Sequence, residues 1–171
     1  ILNYIIDLFQ TNDKEYLQSI TDSLLNLAEK NQLNTNQTAE MIVSFVQDIP
    51  YSYVFGGRSC ADRENKGYKC VDGKRYGLLT PVEFLYTLIG DCDTRSVLLY
   101  LILKQLNYDI SIVVSREYAH AMIAINLPYE GDYLEHNEKK YYFWETTATG
   151  WIPGVLPPDC NNKNYWQFPL I

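Results

Sequence analysis

Cys92 stands in Gly90-Asp91-Cys92-Asp93-Thr94-Arg95-Ser96, directly before the apolar run from Val97 to Leu103. A thiol in the first turn of a helix faces the positive end of the aligned peptide dipoles and the unpaired N–H groups there, which favour thiolate over thiol. The flanking Asp91 and Asp93 oppose that ionisation, so activation has to come from a base, with Arg95 available as a counter-charge. Two later residues supply the rest of a nucleophilic mechanism: His120 in Tyr118-Ala119-His120-Ala121-Met122-Ile123, and Glu145 in Tyr142-Phe143-Trp144-Glu145-Thr146-Thr147. Nucleophile, base and orienting acid then follow one another in chain order, and a thiol so equipped attacks an amide or ester carbonyl to give an acyl-enzyme. The oxyanion would be held by the Cys92 backbone N–H and one further donor. Water as acceptor gives hydrolysis, the expected outcome, and a primary amine gives transamidation. Each residue alone has a plainer reading, as a small buried thiol, a hydrogen-bonded strand histidine or an exposed strand carboxylate; the combination in one order gives them weight.

Positioning these groups falls to elements that the apolar periodicity outlines. From Asn12 to Lys30, Tyr16, Leu17, Ile20, Leu24 and Leu27 recur every three or four residues, which predicts a helix with one buried face. After a polar link from Asn31 to Asn36, a second helix carries Met41, Ile42, Phe45, Val46 and Ile49, and Pro50 ends it. Residues 51–77 hold five glycines, clustered charge and two cysteines, a loop-rich excursion with room for a hairpin. Thr80-Pro81-Val82-Glu83 is a capping box with proline at the first helical position, opening a short helix that Gly90 ends. Asp91 caps the next helix, which is apolar nearly all round, so surrounding protein must hold the Cys92 backbone in place. Three strands follow, at Ile110 to Ser115, Ala119 to Leu127 and Tyr141 to Thr147, the last two joined by a polar connection from Pro128 to Lys140. The proline-rich end of the chain wraps the core.

At 171 residues, 47% hydrophobic and 20% charged, the chain reads as one soluble globular domain. Its expected parts are helices over about 1–50, the insert over about 51–77, a catalytic core over about 78–157 and a wrapping tail over 158–171. With 14 Lys+Arg against 21 Asp+Glu, net charge −7, and no basic stripe, nucleic acid is not an expected partner. No apolar stretch approaches the roughly 20 residues that span a bilayer, so membrane insertion is not expected. The start at Ile1 rather than Met reads as part of a larger polypeptide. Cys60 and Cys70 flank a polar loop and could close it as a disulfide worth about 2–3 kcal/mol, which would favour an extracytoplasmic, oxidising compartment. Free thiols or a pairing with Cys160 are the alternatives, and a zinc site from these cysteines and His136 would match no familiar ligand spacing. No cofactor or metal is expected.

A buried helix opening with Cys, followed by strands carrying His and then an acid, resembles the transglutaminase-like branch of the papain-like fold. The likeness runs from about Val43 to Pro157. It is densest in Pro81-Val82-Glu83-Phe84-Leu85, Gly90-Asp91-Cys92-Asp93, Asn107-Tyr108-Asp109, His120-Ala121-Met122-Ile123-Ala124, and Tyr141-Tyr142-Phe143-Trp144-Glu145-Thr146-Thr147 with Gly150-Trp151 after it. That run is similar to bacterial transglutaminase-like domains of largely unassigned activity. The resemblance implies an α+β fold with a papain-like core, N-terminal helices and a Cys-bearing helix packed on an antiparallel sheet. It implies Cys92 as nucleophile, His120 as general base and acid, and Glu145, where the superfamily more usually has Asp, as the residue orienting the imidazole. A side chain upstream of the Cys would add an oxyanion donor, the candidates being Gln47, Tyr51 and Tyr53. Trp144 and Trp151 could line a substrate groove. The implied activity is that of a cysteine peptidase or amidase on a peptide or protein amide; the rival is a non-catalytic module that binds peptide or cell-wall material within a larger protein.

Overall fold

The computed structural model describes residues 13–169 together with residues 6, 7, 9 and 11. Helix α1 (Lys14–Lys30) buries Leu17, Thr21, Leu24 and Ala28, a stripe at the expected helical spacing but rotated from the expected one. Tyr16 and Leu27, assigned to the buried face, are 67% and 47% exposed. Thr21 explains the rotation: its hydroxyl donates to the Leu17 carbonyl at 2.7 Å, which lets a polar residue sit inside the stripe. Helix α2 (Thr35–Gln47) starts inside the expected polar link, because Asn34 and Gln37 form a reciprocal capping box. Ala39, Ile42, Val43 and Val46 face the core.

Residues 51–77 are not a hairpin. The two-residue strands β1 (Tyr53–Val54) and β2 (Cys70–Val71) run parallel, and the connection between them carries the single helical turn α3 (Ala61–Glu64). Cys60 and Cys70 form a disulfide that closes this loop, so neither thiol is available for zinc. Helix α4 (Pro81–Thr87) opens on the expected Thr80–Glu83 capping box. It ends with Leu88 in the left-handed conformation, two residues before the glycine expected to stop it. Gly90 is needed for a different reason: a Cβ there would lie 2.7 Å from the ring of fully buried Phe84.

Helix α5 (Cys92–Gln105) follows, capped by the Asp91 carboxylate, which accepts from the Thr94 N–H at 3.1 Å. It packs on an antiparallel sheet made of β3 (Ile110–Ser115), β4 (His120–Ile125), β5 (Tyr133–His136) and β6 (Lys139–Trp144), in the order β3-β4-β6-β5. Strand β5 lies within the expected connection. It is a half-exposed edge strand with no apolar run, and Asn137 and Glu138, both at positive φ, make the tight turn into β6. Both faces of the sheet are covered. Ile112, Ile123, Ile125 and Trp144 join the helices in one cluster, while Val113, Met122, Ala124 and Phe143 meet Leu156, Cys160 and Trp166 of the C-terminal segment in another. That segment lies against the sheet, and Gln167 adds a backbone bridge to Val114. The architecture is mixed α+β, and among the described residues no helix is long and apolar enough to cross a membrane.

Because the Phe84 ring has no room to withdraw, Gly90→Ala is expected to cost about 1–3 kcal/mol by overpacking. Urea unfolding measures it, and an unchanged midpoint would contradict the close approach of ring and glycine.

Candidate active site

Three chain positions converge because each ends or begins an element. Cys92 is the first residue of α5, His120 the first of β4, and Glu145 the first after β6, where the β4–β6 ladder has ended at Ile123 and Trp144. His120 Nε2 lies 2.7 Å from Glu145 Oε2. The other carboxylate oxygen, Oε1, accepts from the Thr146 and Thr147 N–H groups at 2.8 Å each and from the Thr147 hydroxyl at 2.7 Å. Glu145 is only 3% exposed, and burial alone would raise its pKa; the His120 hydrogen bond and charge, with the Thr147 donors, outweigh this and hold it below the ordinary carboxylate range.

The imidazole has a second partner. Burial by itself would depress the His120 pKa, but the neighbouring Cys92 sulfur and the hydrogen bond to Glu145, and then their charges, raise it to about 10. Since Nε2 is directed at Glu145, Nδ1 is the ring nitrogen left for the sulfur. The Trp166 ring meets the imidazole edge-on, with centroids 5.9 Å apart.

Behind these groups lies Arg95, at 0% exposure. Its Nε donates to the Gly90 carbonyl at 3.1 Å, Nη1 to Val46 at 2.8 Å and Thr146 at 3.3 Å, and Nη2 to Ile49 at 2.5 Å. The rings of Tyr51 and Phe84 each lie 5.7 Å from the guanidinium carbon. Burial lowers its pKa while the neighbouring Tyr51, Asp91, Glu145 and Cys92 push it back up. The counter-charge expected at this position is thus also a strut joining three segments. A cation directly before the apolar run from Val97 to Leu103 was the sequence signal, since a buried cation needs several partners.

Gln47 is also a strut. Its side-chain nitrogen donates to the backbone carbonyls of Glu145 at 2.7 Å and Trp151 at 2.9 Å, so both amide hydrogens are taken and none faces a substrate oxygen. This corrects its candidacy as an oxyanion donor. Tyr51 is brought to Cys92 instead, its hydroxyl beside the Cys92 backbone. Burial first, then the Cys92 and Asp91 charges, raise the phenol's pKa above its ordinary value, which keeps the O–H intact as a donor. Tyr53 stands one ring farther out, edge-on to Tyr51 with centroids 5.3 Å apart. Trp144 is corrected as well: at 2% exposure, with its indole N–H donating to the Trp151 carbonyl at 3.0 Å, it is a core residue and not a groove wall.

Trp151 does line a cleft, of about 310 Å³, together with Tyr118, His120, Glu145, Asp159 and Cys160. The sequence offers Cys160 only as an alternative disulfide partner or zinc ligand; it is a free, buried cysteine, and nothing in a proline-rich tail marks a thiol for this cleft. Burial, then the charges of Glu145 and Asp159, push its pKa up to about 11, which keeps it a neutral thiol and leaves Cys92 as the sulfur paired with the imidazole. His136 packs against Phe168 in the β5–β6 hairpin, with ring centroids 5.8 Å apart. No protein-family model matches this chain, and neither a curated protein nor a solved structure does.

Asp91 gives the site a pH-dependent element. Burial chiefly, with the Asp93 charge, raises its pKa to about 6, above the ordinary 3.8. The stabilisation from the neutral carboxyl is complete below the ordinary value and is lost as pH rises through about 6. Asp91→Asn keeps the oxygen that caps α5 and has no proton to lose. Its stability relative to the parent is therefore expected to rise by roughly 1–3 kcal/mol between pH 4 and pH 8. Urea unfolding across that range measures the gap; a gap that does not change with pH would contradict the assignment.

Proposed function

We propose that this chain is a thiol-dependent acyl-transfer enzyme of the transglutaminase-like branch of the papain-like fold, acting on a peptide or protein amide with hydrolysis as its outcome. The observation that carries this reading is the His120 ring set 2.7 Å from a fully hydrogen-bonded Glu145 carboxylate, with Cys92 as its other close neighbour. The order of a Cys-bearing helix, a strand opening with His and an acid at the end of a neighbouring strand supports the family assignment.

In the proposed mechanism His120, cationic well above neutrality, stabilises negative charge on the Cys92 sulfur. The sulfur attacks the carbonyl carbon, forming a C–S bond and moving the carbonyl electrons onto oxygen. Oxyanion stabilisation comes from the Cys92 backbone N–H and the Tyr51 hydroxyl, which turns from its present place beside that backbone. As the C–N bond breaks, His120 passes its proton to the departing amine, leaving a thioester. A water molecule then gives a proton to His120 while its oxygen attacks the thioester carbonyl; the C–S bond breaks, releasing the carboxylic acid and restoring the Cys92 thiolate beside the His120 imidazolium. Glu145 keeps the ring oriented and balances its charge, its own position fixed by Thr146 and Thr147. The Cys60–Cys70 bridge suits an oxidising compartment.

Alkylation by iodoacetamide tests the proposal directly. Cys92 is expected to react fast at neutral pH, and His120→Ala to slow it by on the order of 100-fold or more with the fold retained by circular dichroism. Glu145→Gln, which keeps size but not charge, is expected to give an intermediate rate. A parent rate equal to that of a simple thiol, unchanged in His120→Ala, would favour the non-catalytic binding module.

A further inference from the structure

The 51–77 insert has a charge character of its own. It carries Arg58, Arg63, Lys66, Lys69, Lys74 and Arg75 against Asp62, Glu64 and Asp72, a net +3 in a chain whose remaining residues sum to −10. Along the sequence these charges are interspersed with the opposite sign and form no stripe. In space, three of the cations gather round one concavity of about 460 Å³, lined by Phe55, Arg58, Ser59, Asp62, Arg63 and Lys66. Among the described residues none of those three cations makes an ion pair, whereas Lys74 is matched by Glu83 at 3.1 Å.

The concavity is also held in shape. The Cys60–Cys70 disulfide and the β1–β2 pairing tie together the ends of the segment that carries it, and the Asp72 carboxylate accepts from the Cys60 N–H at 2.9 Å. The Arg63 guanidinium lies over the Tyr53 ring, 4.3 Å from its centroid. Aromatic rings connect it to the nucleophile: Tyr51 touches the Cys92 backbone, Tyr53 follows at 5.3 Å and Phe55, a wall of the concavity, at 6.0 Å. An extended peptide spans two such steps with about three or four residues at ~3.3 Å each. Rings can pack against its apolar stems while guanidinium and ammonium groups take its carboxylates.

We propose that this concavity is a recognition site for an acidic peptide segment, seating Glu or Asp side chains a few residues from the bond presented to Cys92. A long polyanion such as RNA suits it poorly, because it would run on over a surface whose remainder is strongly negative; a short acidic segment keeps its charge inside the cleft. Binding of the acidic peptide needs no chemistry at Cys92. Only its assignment to the acyl donor rests on the acyl-transfer reading.

Fluorescence anisotropy on Cys92→Ser protein tests it without turnover, using fluorescein-labelled hexaglutamate, hexalysine and a Gly-Ser hexapeptide. Hexaglutamate is expected to bind at least about tenfold more tightly than either control, and several-fold more weakly in 300 mM than in 50 mM salt. Arg58→Glu with Lys66→Glu should abolish the preference, and the milder Arg58→Gln with Lys66→Gln should reduce it about threefold or more. Both pairs are expected to leave iodoacetamide labelling of Cys92 unchanged. Equal binding of hexaglutamate and the Gly-Ser peptide, affinity indifferent to both double substitutions, or tighter binding of a single-stranded RNA 12-mer would each overturn the proposal. If hexaglutamate binds as expected but Cys92 is unreactive, the recognition site stands and the donor role falls; if Cys92 is reactive and hexaglutamate is ignored, the recognition site alone falls.

Discussion

A guanidinium with no access to water must have its donors met by protein, and Arg95 meets that demand with backbone carbonyls alone. Two of them, from Val46 and Ile49, lie at and just past the end of α2, where the helix dipole is negative and a cation is welcome. A third comes from Gly90, directly before the cap of α5, and a fourth from Thr146, directly after Glu145. One cation therefore ties together the segments that carry Gln47, Cys92 and Glu145. Loss of any one carbonyl would leave both a bare oxygen and a poorly solvated charge, so the segments are held to a narrow range of relative positions.

The other polar groups extend this frame outward. Gln47 repeats the Arg95 arrangement at smaller scale, joining the end of α2 to the backbone of Glu145 and Trp151. Glu145 is then fixed from both sides: its main chain by Gln47, its carboxylate by Thr146, Thr147 and His120. The apolar layers do less to specify this geometry than to limit how far water reaches into it. With α5 on one face of the sheet and Trp166, Leu156 and Cys160 on the other, the ion pair of imidazole and carboxylate sits where its field is weakly screened.

Local signals in the chain carried a large part of this. The Thr80 capping box, the Asp91 cap and the apolar α5 are readable because each rests on residues within one or two turns, and they put Cys92 at a helix start without any tertiary information. His120 and Glu145 were legible as chemistry types in a telling order, though the acid sits past its strand rather than within it. What escaped depended on distant partners. Thr21 buries a hydroxyl and turns α1, Trp144 disappears into the core, and β5 is an edge strand recognisable only once β6 lies beside it. Gln47 looked like a donor for substrate because its true acceptors are 98 and 104 residues away. The parallel pairing of β1 and β2 has the same cause, and with it the gathering of Arg58, Arg63 and Lys66 round one cleft.

The central claim is that one imidazole is shared between the Cys92 sulfur and the Glu145 carboxylate. The chain has two histidines, so ¹⁵N-histidine NMR resolves His120 from His136 with a single substitution. A pH titration is expected to show His120 as imidazolium through pH 8, with a midpoint near 10 that falls markedly in Cys92→Ser. A midpoint near the ordinary 6.5, indifferent to the loss of the sulfur, would contradict it.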